Sequence, residues 1–142
     1  MPKVDEAIEA IARYQPEPGG WLGLDKFLER LWATGEPERG TEVLFGVFER
    51  FPEQDGYGVF WSILHGLESL PDYEGPLIAS LRRQPPEFNV RMIDRILNAG
   101  RNSVGGVSGL TLLGEVLVHP DATEQAREDA GEYLKRHRFS SL

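Results

Sequence analysis

Apolar residues recur at intervals of three and four along most of the chain, which is the period of an α-helix with one buried face. The pattern is clearest from Trp21 to Trp32 and from Phe88 to Leu97. It predicts helices at about residues 4–14, 21–34, 37–51, 55–70, 73–84, 86–99, 110–118 and 121–137. Residues 101–109 are predicted to be a flexible connection or a loosely wound helix start. Strand patterns are poor, so we expect an all-α fold.

Glycine, proline and aspartate mark the ends of these predicted helices. Gly35 and Gly100 suit the position after a helix, where a left-handed backbone is needed. Pro37 fits a first helical turn, because an N–H at that position would have no helical partner. Asp55 and Asp121 are predicted to cap the N-termini of the fourth and eighth helices.

Three predicted helices end in an apolar turn followed by proline and an acidic residue, at Pro52, Pro85 and Pro120. The spacings of 33 and 35 residues are typical of two-helix repeats, whose neighbours must stack to bury their apolar faces. We therefore predict one helical-repeat domain over residues 1–142, with seven or eight helices stacked as antiparallel pairs in a HEAT-like α-solenoid or a compact bundle. Its predicted segments are an N-terminal pair at 1–35 and repeats at 36–72, 73–105 and 106–142.

The apolar face of each predicted helix supplies the expected core. Its members are Trp21, Phe27, Leu31, Leu44, Phe48, Phe60, Leu64, Leu77, Leu81, Met92, Ile96, Leu113 and Leu117.

Composition narrows the class of protein. The chain has no cysteine, which excludes disulfides, thiolate catalysis and cysteine-ligated zinc. Its N-terminus carries acidic residues instead of the basic start and apolar run of a secretory signal, and no stretch is long enough to span a bilayer. We expect a complete cytoplasmic protein that binds no membrane.

Charge is distributed unevenly along the chain. The net charge is −8, which disfavours binding to nucleic acid. Residues 36–74 hold nine acidic and two basic residues, whereas residues 82–101 hold five arginines and two acidic residues. Both stretches are typical of solvated helix faces, and the first also fits a surface for a basic partner. The two could attract each other in weak self-association, although we expect a monomer.

Candidate catalytic chemistry is sparse. The three histidines, His65, His119 and His137, lie far apart and match no metal-binding spacing. His119 and His137 stand at predicted helix ends, where a cationic ring complements the helix dipole. His65 lies in mid-helix and is either a buried, hydrogen-bonded histidine or part of a binding face. The stretch SVGGVSG lacks the lysine and the preceding strand of a phosphate loop. We predict no enzymatic activity, no metal and no cofactor.

Aromatic and acidic residues come together around the fourth predicted helix. Tyr57 and Trp61 lie one turn apart, which is typical of core residues and also of an interface hot spot. Tyr73 lies in a predicted loop, where an aromatic side chain need not serve the core. The expected partner-binding residues, at converging helix ends and loops, are Glu49, Glu53, Asp55, Asp72, Tyr73 and Glu74. A surface with Arg91 and Arg95 is the alternative.

The segment GVFWSILHGLESLPDYEGPLIASLRRQPPEF, within a small, acidic, cysteine-free helical chain, resembles the αα-repeat core of bacterial polymorphic-toxin immunity proteins of the helical, HEAT-like kind. The segment covers about a quarter of the chain. The resemblance implies a non-enzymatic inhibitor that binds a cognate toxin domain and blocks its active site. The arginine-rich sixth helix departs from a uniformly acidic binding face, which puts a purely electrostatic mechanism in doubt.

Two other classes of function remain open at this point. One is a helical-repeat scaffold or adaptor protein with no toxin partner, and the other is an enzyme subunit or accessory factor.

Overall fold

The computed structural model describes residues 3–16, 20–52, 54 and 56–140. Within them the predicted all-α class is confirmed, with eight α-helices: α1 (Lys3–Arg13), α2 (Leu22–Ala33), α3 (Thr41–Arg50), α4 (Val59–Glu68), α5 (Glu74–Arg83), α6 (Glu87–Asn98), α7 (Gly109–Val118) and α8 (Glu124–Ser140). No helix in this part of the chain combines the length and the apolar character needed to cross a bilayer. The choice between solenoid and bundle and the four repeat segments stay predictions.

The helices belong to two compact units. Residues 1–50 with 54–73 form the first unit, which contains α1 to α4. Residues 51–53 with 74–142 form the second unit, which contains α5 to α8.

The structure confirms the predicted glycines after helices, places Pro37 in a 3₁₀ turn before α3, and contradicts one predicted N-cap. Gly35 and Gly100 have φ values of +78° and +89°, which confirms their predicted positions after α2 and α6. Pro37 opens a short 3₁₀ turn that leads into α3. The prediction for Asp121 is wrong, because α8 begins three residues later and the Thr123 hydroxyl accepts a hydrogen bond from its N-terminal turn. Asp55, the other predicted cap, lies outside the described residues.

Several aromatic side chains pack together in the core of the first unit. The Phe60 ring lies 5.1 Å from that of Trp21 and 5.4 Å from that of Phe48, measured between ring centroids. Six residues further along α4, Gly66 leaves room for the Trp32 indole, since a Cβ there would lie 2.6 Å from a ring carbon. These contacts pack α4 against α2 and α3.

An arginine from α3 caps the C-terminus of α1. The Arg50 guanidinium donates hydrogen bonds to the carbonyl oxygens of Ile11 at 2.9 Å and Tyr14 at 3.0 Å. The Ile11 carbonyl also accepts from the Tyr14 N–H at 3.2 Å, and the Arg50 cation complements the negative end of the helix dipole. Partial burial lowers the pKa of Arg50 from its ordinary value.

In the second unit, a small β-hairpin replaces the flexible connection or helix start predicted at residues 101–109. Strands β1 (Ser103–Val104) and β2 (Val107–Ser108) pair antiparallel. Gly105 and Gly106 form the two-residue turn, with φ values of +53° and +84°. A type I′ turn needs positive φ at both positions, which two glycines supply without strain. This Gly-Gly pair between two valines was the sequence signal for the hairpin.

The predicted core is confirmed at most positions. The buried members are Trp21, Leu31, Leu44, Phe48, Phe60, Leu64, Leu77, Leu81, Met92, Ile96 and Leu113. Leu117 is a wrong prediction, with 41% of its surface exposed. The buried face of α7 runs through Leu112, Leu113 and Val116, so Leu117 lies one position beyond it. Phe27 is only half-buried.

Candidate functional site

The structure distributes the expected partner-binding residues over both units. Glu49 lies half-buried on α3, and Asp72 and Tyr73 follow α4, all within the first unit. Glu74 begins α5 in the second unit. Two further members lie outside the described residues: Glu53 and Asp55. A single binding surface formed by these six residues therefore stays a prediction.

Glu74 forms hydrogen bonds to other residues of its own unit. Its carboxylate oxygens accept hydrogen bonds from the Arg101 guanidinium at 2.7 and 2.9 Å, and Oε1 also accepts one from the Gly105 N–H at 2.8 Å. The Arg101 hydrogen bond lowers the pKa of Glu74 and, together with the Gly105 N–H, outweighs the opposite effect of burial. Glu74 thus ties the hairpin to α5, with its charge neutralised by Arg101.

Asp72 and Tyr73 differ in how far they are available to a partner. Asp72 is exposed and has a φ of +56°, a left-handed conformation that aspartate and asparagine tolerate better than other residues with a side chain. Tyr73 is half-buried, so the expectation of an exposed loop aromatic is not met there.

A different aromatic side chain is exposed, on α4. Trp61 keeps 37% of its surface exposed, and its ring centroid lies 5.9 Å from that of His65 with the planes tilted by 33°. The His65 side chain is 60% exposed, and its Nδ1 lies 3.8 Å from Oε1 of Glu68. Helical spacing places these three residues on one side of α4, and the exposed Asp72 lies in the turn four residues after the helix ends. We call Trp61, His65 and Glu68, together with Asp72 of the following turn, the α4 face.

These positions resolve two alternatives left open by the sequence. The reading of His65 as a buried histidine is wrong, because its side chain faces solvent. Trp61 was a core candidate, but the buried side of α4 passes through its neighbour Phe60. One residue turns a helix by about 100°, so Trp61 lies at the margin of that side. The polar residues Ser62 on α4 and Ser69 directly after it were the sequence signal for a solvated side, and both are exposed.

The basic stretch of residues 82–101 is largely neutralised within the second unit. Arg82 pairs with Glu115 on α7 at 3.0 and 3.2 Å, and Arg101 pairs with Glu74. The bond to Glu115 raises the pKa of Arg82. On the alternative binding surface, Arg91 pairs with Glu87 at 2.7 Å and keeps 24% of its side chain exposed. Arg95 is half-buried.

His119 lies at the C-terminus of α7, as expected, and both nitrogens of its ring form hydrogen bonds. Its Nε2 donates to the carbonyl oxygen of Arg82 at 2.7 Å, and its Nδ1 accepts from the Asp121 N–H at 3.0 Å. His119 therefore links α5 to the turn between α7 and α8.

His137 lies in a buried polar cluster. Its Nε2 donates to Oδ1 of Asp94 at 2.7 Å, and the two residues are 8% and 7% exposed. Asn98 donates to Oδ2 of the same carboxylate at 3.3 Å, and Arg136 approaches it at 3.4 Å. An aspartate–histidine pair can act as a general base when a substrate reaches it, but this pair is enclosed between α6 and α8. Its evident effect is to hold these two helices together.

Within the described ranges, no three His, Asp or Glu side chains come together as metal ligands. No family model, curated protein or solved structure matches the chain at a significant level.

Proposed function

We propose that this chain is a non-enzymatic protein-binding module, and that it uses the α4 face to bind and inhibit a cognate bacterial toxin domain. The observation that carries the proposal is the exposed Trp61 ring against His65 on the solvent side of α4. The toxin itself comes from the resemblance to helical immunity proteins.

An exposed tryptophan beside acidic residues supports a binding role. Tryptophan is enriched among the few interface residues that contribute most of the binding energy. The contact with His65 restricts the Trp61 ring, so that less side-chain entropy is lost when a partner covers it.

Charge supports a cationic partner. Glu68 and Asp72 accompany Trp61 on the α4 face, within the stretch that holds nine acidic and two basic residues. A surface of one sign raises the rate of encounter with a surface of the opposite sign. A toxin domain that acts on nucleic acid carries such a cationic surface, because it must bind phosphates.

The test is capture of the partner from the native host on the tagged full-length chain, followed by binding kinetics with variants. Trp61→Ala should accelerate dissociation by about 30-fold or more, the equivalent of roughly 2 kcal/mol for a hot spot. Glu68→Gln with Asp72→Asn should mainly slow association and reduce its salt dependence. Asparagine is chosen at Asp72 because it tolerates the left-handed backbone that alanine would strain.

Leu117→Ala is the matched control, since Leu117 on α7 is exposed to a similar degree as Trp61. It should bind the partner like the parent. If the three α4-face substitutions also bind like the parent, this face is not the interface.

The captured protein should arrest growth when expressed alone, and co-expression of the parent chain, but not of Trp61→Ala, should restore growth. A captured partner that does not arrest growth would overturn the proposal of a toxin partner and would favour an adaptor protein.

A further inference from the structure

An open groove runs between α1 and α2 in the first unit. Its wider part has a volume of 610 Å³, and its narrower part has a volume of 420 Å³. The two parts adjoin at Ala10 and Arg30, and together they are lined by α1 and the residue after it from Lys3 to Tyr14. At a rise of about 1.5 Å per residue, it is about 16 Å long. We call it the α1–α2 groove.

The rim of the groove is cationic in a protein whose net charge is −8. Four exposed basic residues line it: Lys3, Arg13, Lys26 and Arg30. Against them, Glu6 lines the narrower part, and Glu9 pairs with Arg13 at 2.6 Å. An exposed pair one helical turn apart is weak, so a ligand carboxylate can compete for Arg13. Two positive charges remain after both glutamates are counted.

The floor of the groove is apolar and is made by Ala7, Ala10, Phe27 and Ala33. The Phe27 ring packs edge-on against Tyr14 with centroids 6.1 Å apart, and the Arg30 guanidinium carbon lies 5.4 Å from the centre of the same ring. A nucleic-acid base that stacked there would have to displace Arg30, which disfavours single-stranded nucleic acid as the ligand. The Arg30 guanidinium can still donate its outer N–H groups to a carboxylate.

We propose that the α1–α2 groove binds an acidic amphipathic helix of a partner protein. The groove matches about three turns of helix in length, its apolar floor can cover the apolar side of such a helix, and its cations can pair with carboxylates on both flanks. The sequence did not indicate this site, because its basic residues are dispersed over two helices among acidic ones. The inference is independent of the α4 face, whose residues it does not use.

The probe is a fluorescent synthetic peptide of about 14 residues, with leucine at helical spacing on one side and glutamate on both flanks. It is titrated with the full-length chain, and anisotropy gives the dissociation constant. Lys26→Gln with Arg30→Gln should weaken binding about tenfold, since each exposed charge pair contributes up to roughly fivefold. Lys135→Gln with Arg138→Gln removes the same charge from exposed positions of α8 and should leave the dissociation constant unchanged.

A second variant separates docking in the groove from general attraction between charges. Ala10→Arg adds a positive charge but fills the middle of the groove, so it should weaken peptide binding about tenfold or more. Tighter binding by Ala10→Arg would overturn the proposal, as would equal weakening by the α8 control. A thymidine oligonucleotide of about 12 nucleotides that binds more tightly than the peptide would assign the groove to nucleic acid instead. Circular dichroism and urea unfolding establish that each variant is folded.

Discussion

At the scale of single residues, two glycines in the middle of helices should respond in opposite ways to the same substitution. At Gly46 on α3 a Cβ would meet nothing within 4 Å, whereas at Gly66 on α4 it would lie 2.6 Å from the Trp32 ring. Gly46→Ala should stabilise the protein by about 0.5–1 kcal/mol, the helix-propensity difference. Gly66→Ala gains the same helix-propensity free energy but forces the rigid Trp32 indole to move, which costs about 1–3 kcal/mol. We expect it to be destabilising by about 1 kcal/mol in urea unfolding.

The pair is internally controlled, because both substitutions add one methyl group to the interior of a ten-residue helix. Equal stabilisation by both would mean that Trp32 does not pack against Gly66 in solution. Trp32→Leu in the Gly66→Ala background provides a further check, since a smaller side chain should relieve the clash.

Single-residue environments were predictable only where the helical period is unambiguous. Phe60 and Ile96 occupy the centre of apolar stripes, and both are buried as expected. Trp61 and Leu117 each adjoin such a stripe, and both are exposed. At the margin of a stripe the helical period does not determine whether a side chain is buried. Burial there depends on whether a neighbouring helix packs against that position. His137 illustrates the same limit, since its partner Asp94 lies 43 residues away in sequence.

At the scale of elements, the hydrogen-bonded ion pair between Glu74 and Arg101 predicts a pH dependence of the stability of the protein. The pKa of Glu74 is lowered in the folded state, so its contribution is complete above the unfolded value of about 4.3 and is lost as the pH falls through the folded value. Glu74→Gln should cost about 1 kcal/mol at pH 7, as expected for a charged hydrogen bond whose arginine is partly exposed to solvent. The difference from the parent should shrink below about pH 4, measured by urea unfolding at several pH values.

Glu128→Gln is the control for this series, because Glu128 is an exposed glutamate on α8 of the same unit. Its difference from the parent should be small at every pH. A difference between the parent and Glu74→Gln that stayed constant down to pH 3 would show that the Glu74 carboxylate does not hold the hairpin.

Elements were predicted well in type and less well in their ends. All eight helices follow from the apolar period, which reports burial of one face over several turns. The hairpin was missed because its strands have only two residues each, too short for an alternating pattern. The start of α8 was misplaced because Asp121 and Thr123 are both good caps, and the His119 ring already engages the Asp121 N–H.

At the scale of the whole molecule, linear charge distribution was a poor guide to surface charge. The stretch from residue 82 to residue 101 looks basic in sequence, yet Arg82, Arg91 and Arg101 each pair with a glutamate in the same unit. The glutamates concerned lie at positions 115, 87 and 74, so two of the three partners come from outside the stretch. Conversely, the cationic α1–α2 groove is formed by residues that alternate with acidic ones in sequence. Only the packing of helices determines which charges meet.

The last prediction follows from that neutralisation: the protein should remain a monomer of 16.0 kDa at both low and high salt. Head-to-tail association of the acidic stretch of one copy with residues 82–101 of another would have to break existing ion pairs, and exchanging one exposed pair for another gains little. Two copies of net charge −8 also repel each other, most strongly at low salt, where screening is weakest. Sedimentation velocity at about 20 mM and 500 mM NaCl tests this, since the Debye length falls roughly fivefold between them. A dimer that forms at low salt and dissociates at high salt would show that the arginines do exchange partners between copies. Charge-reversed Arg82→Glu should then abolish that dimer, whereas the α8 variant Lys135→Glu should not.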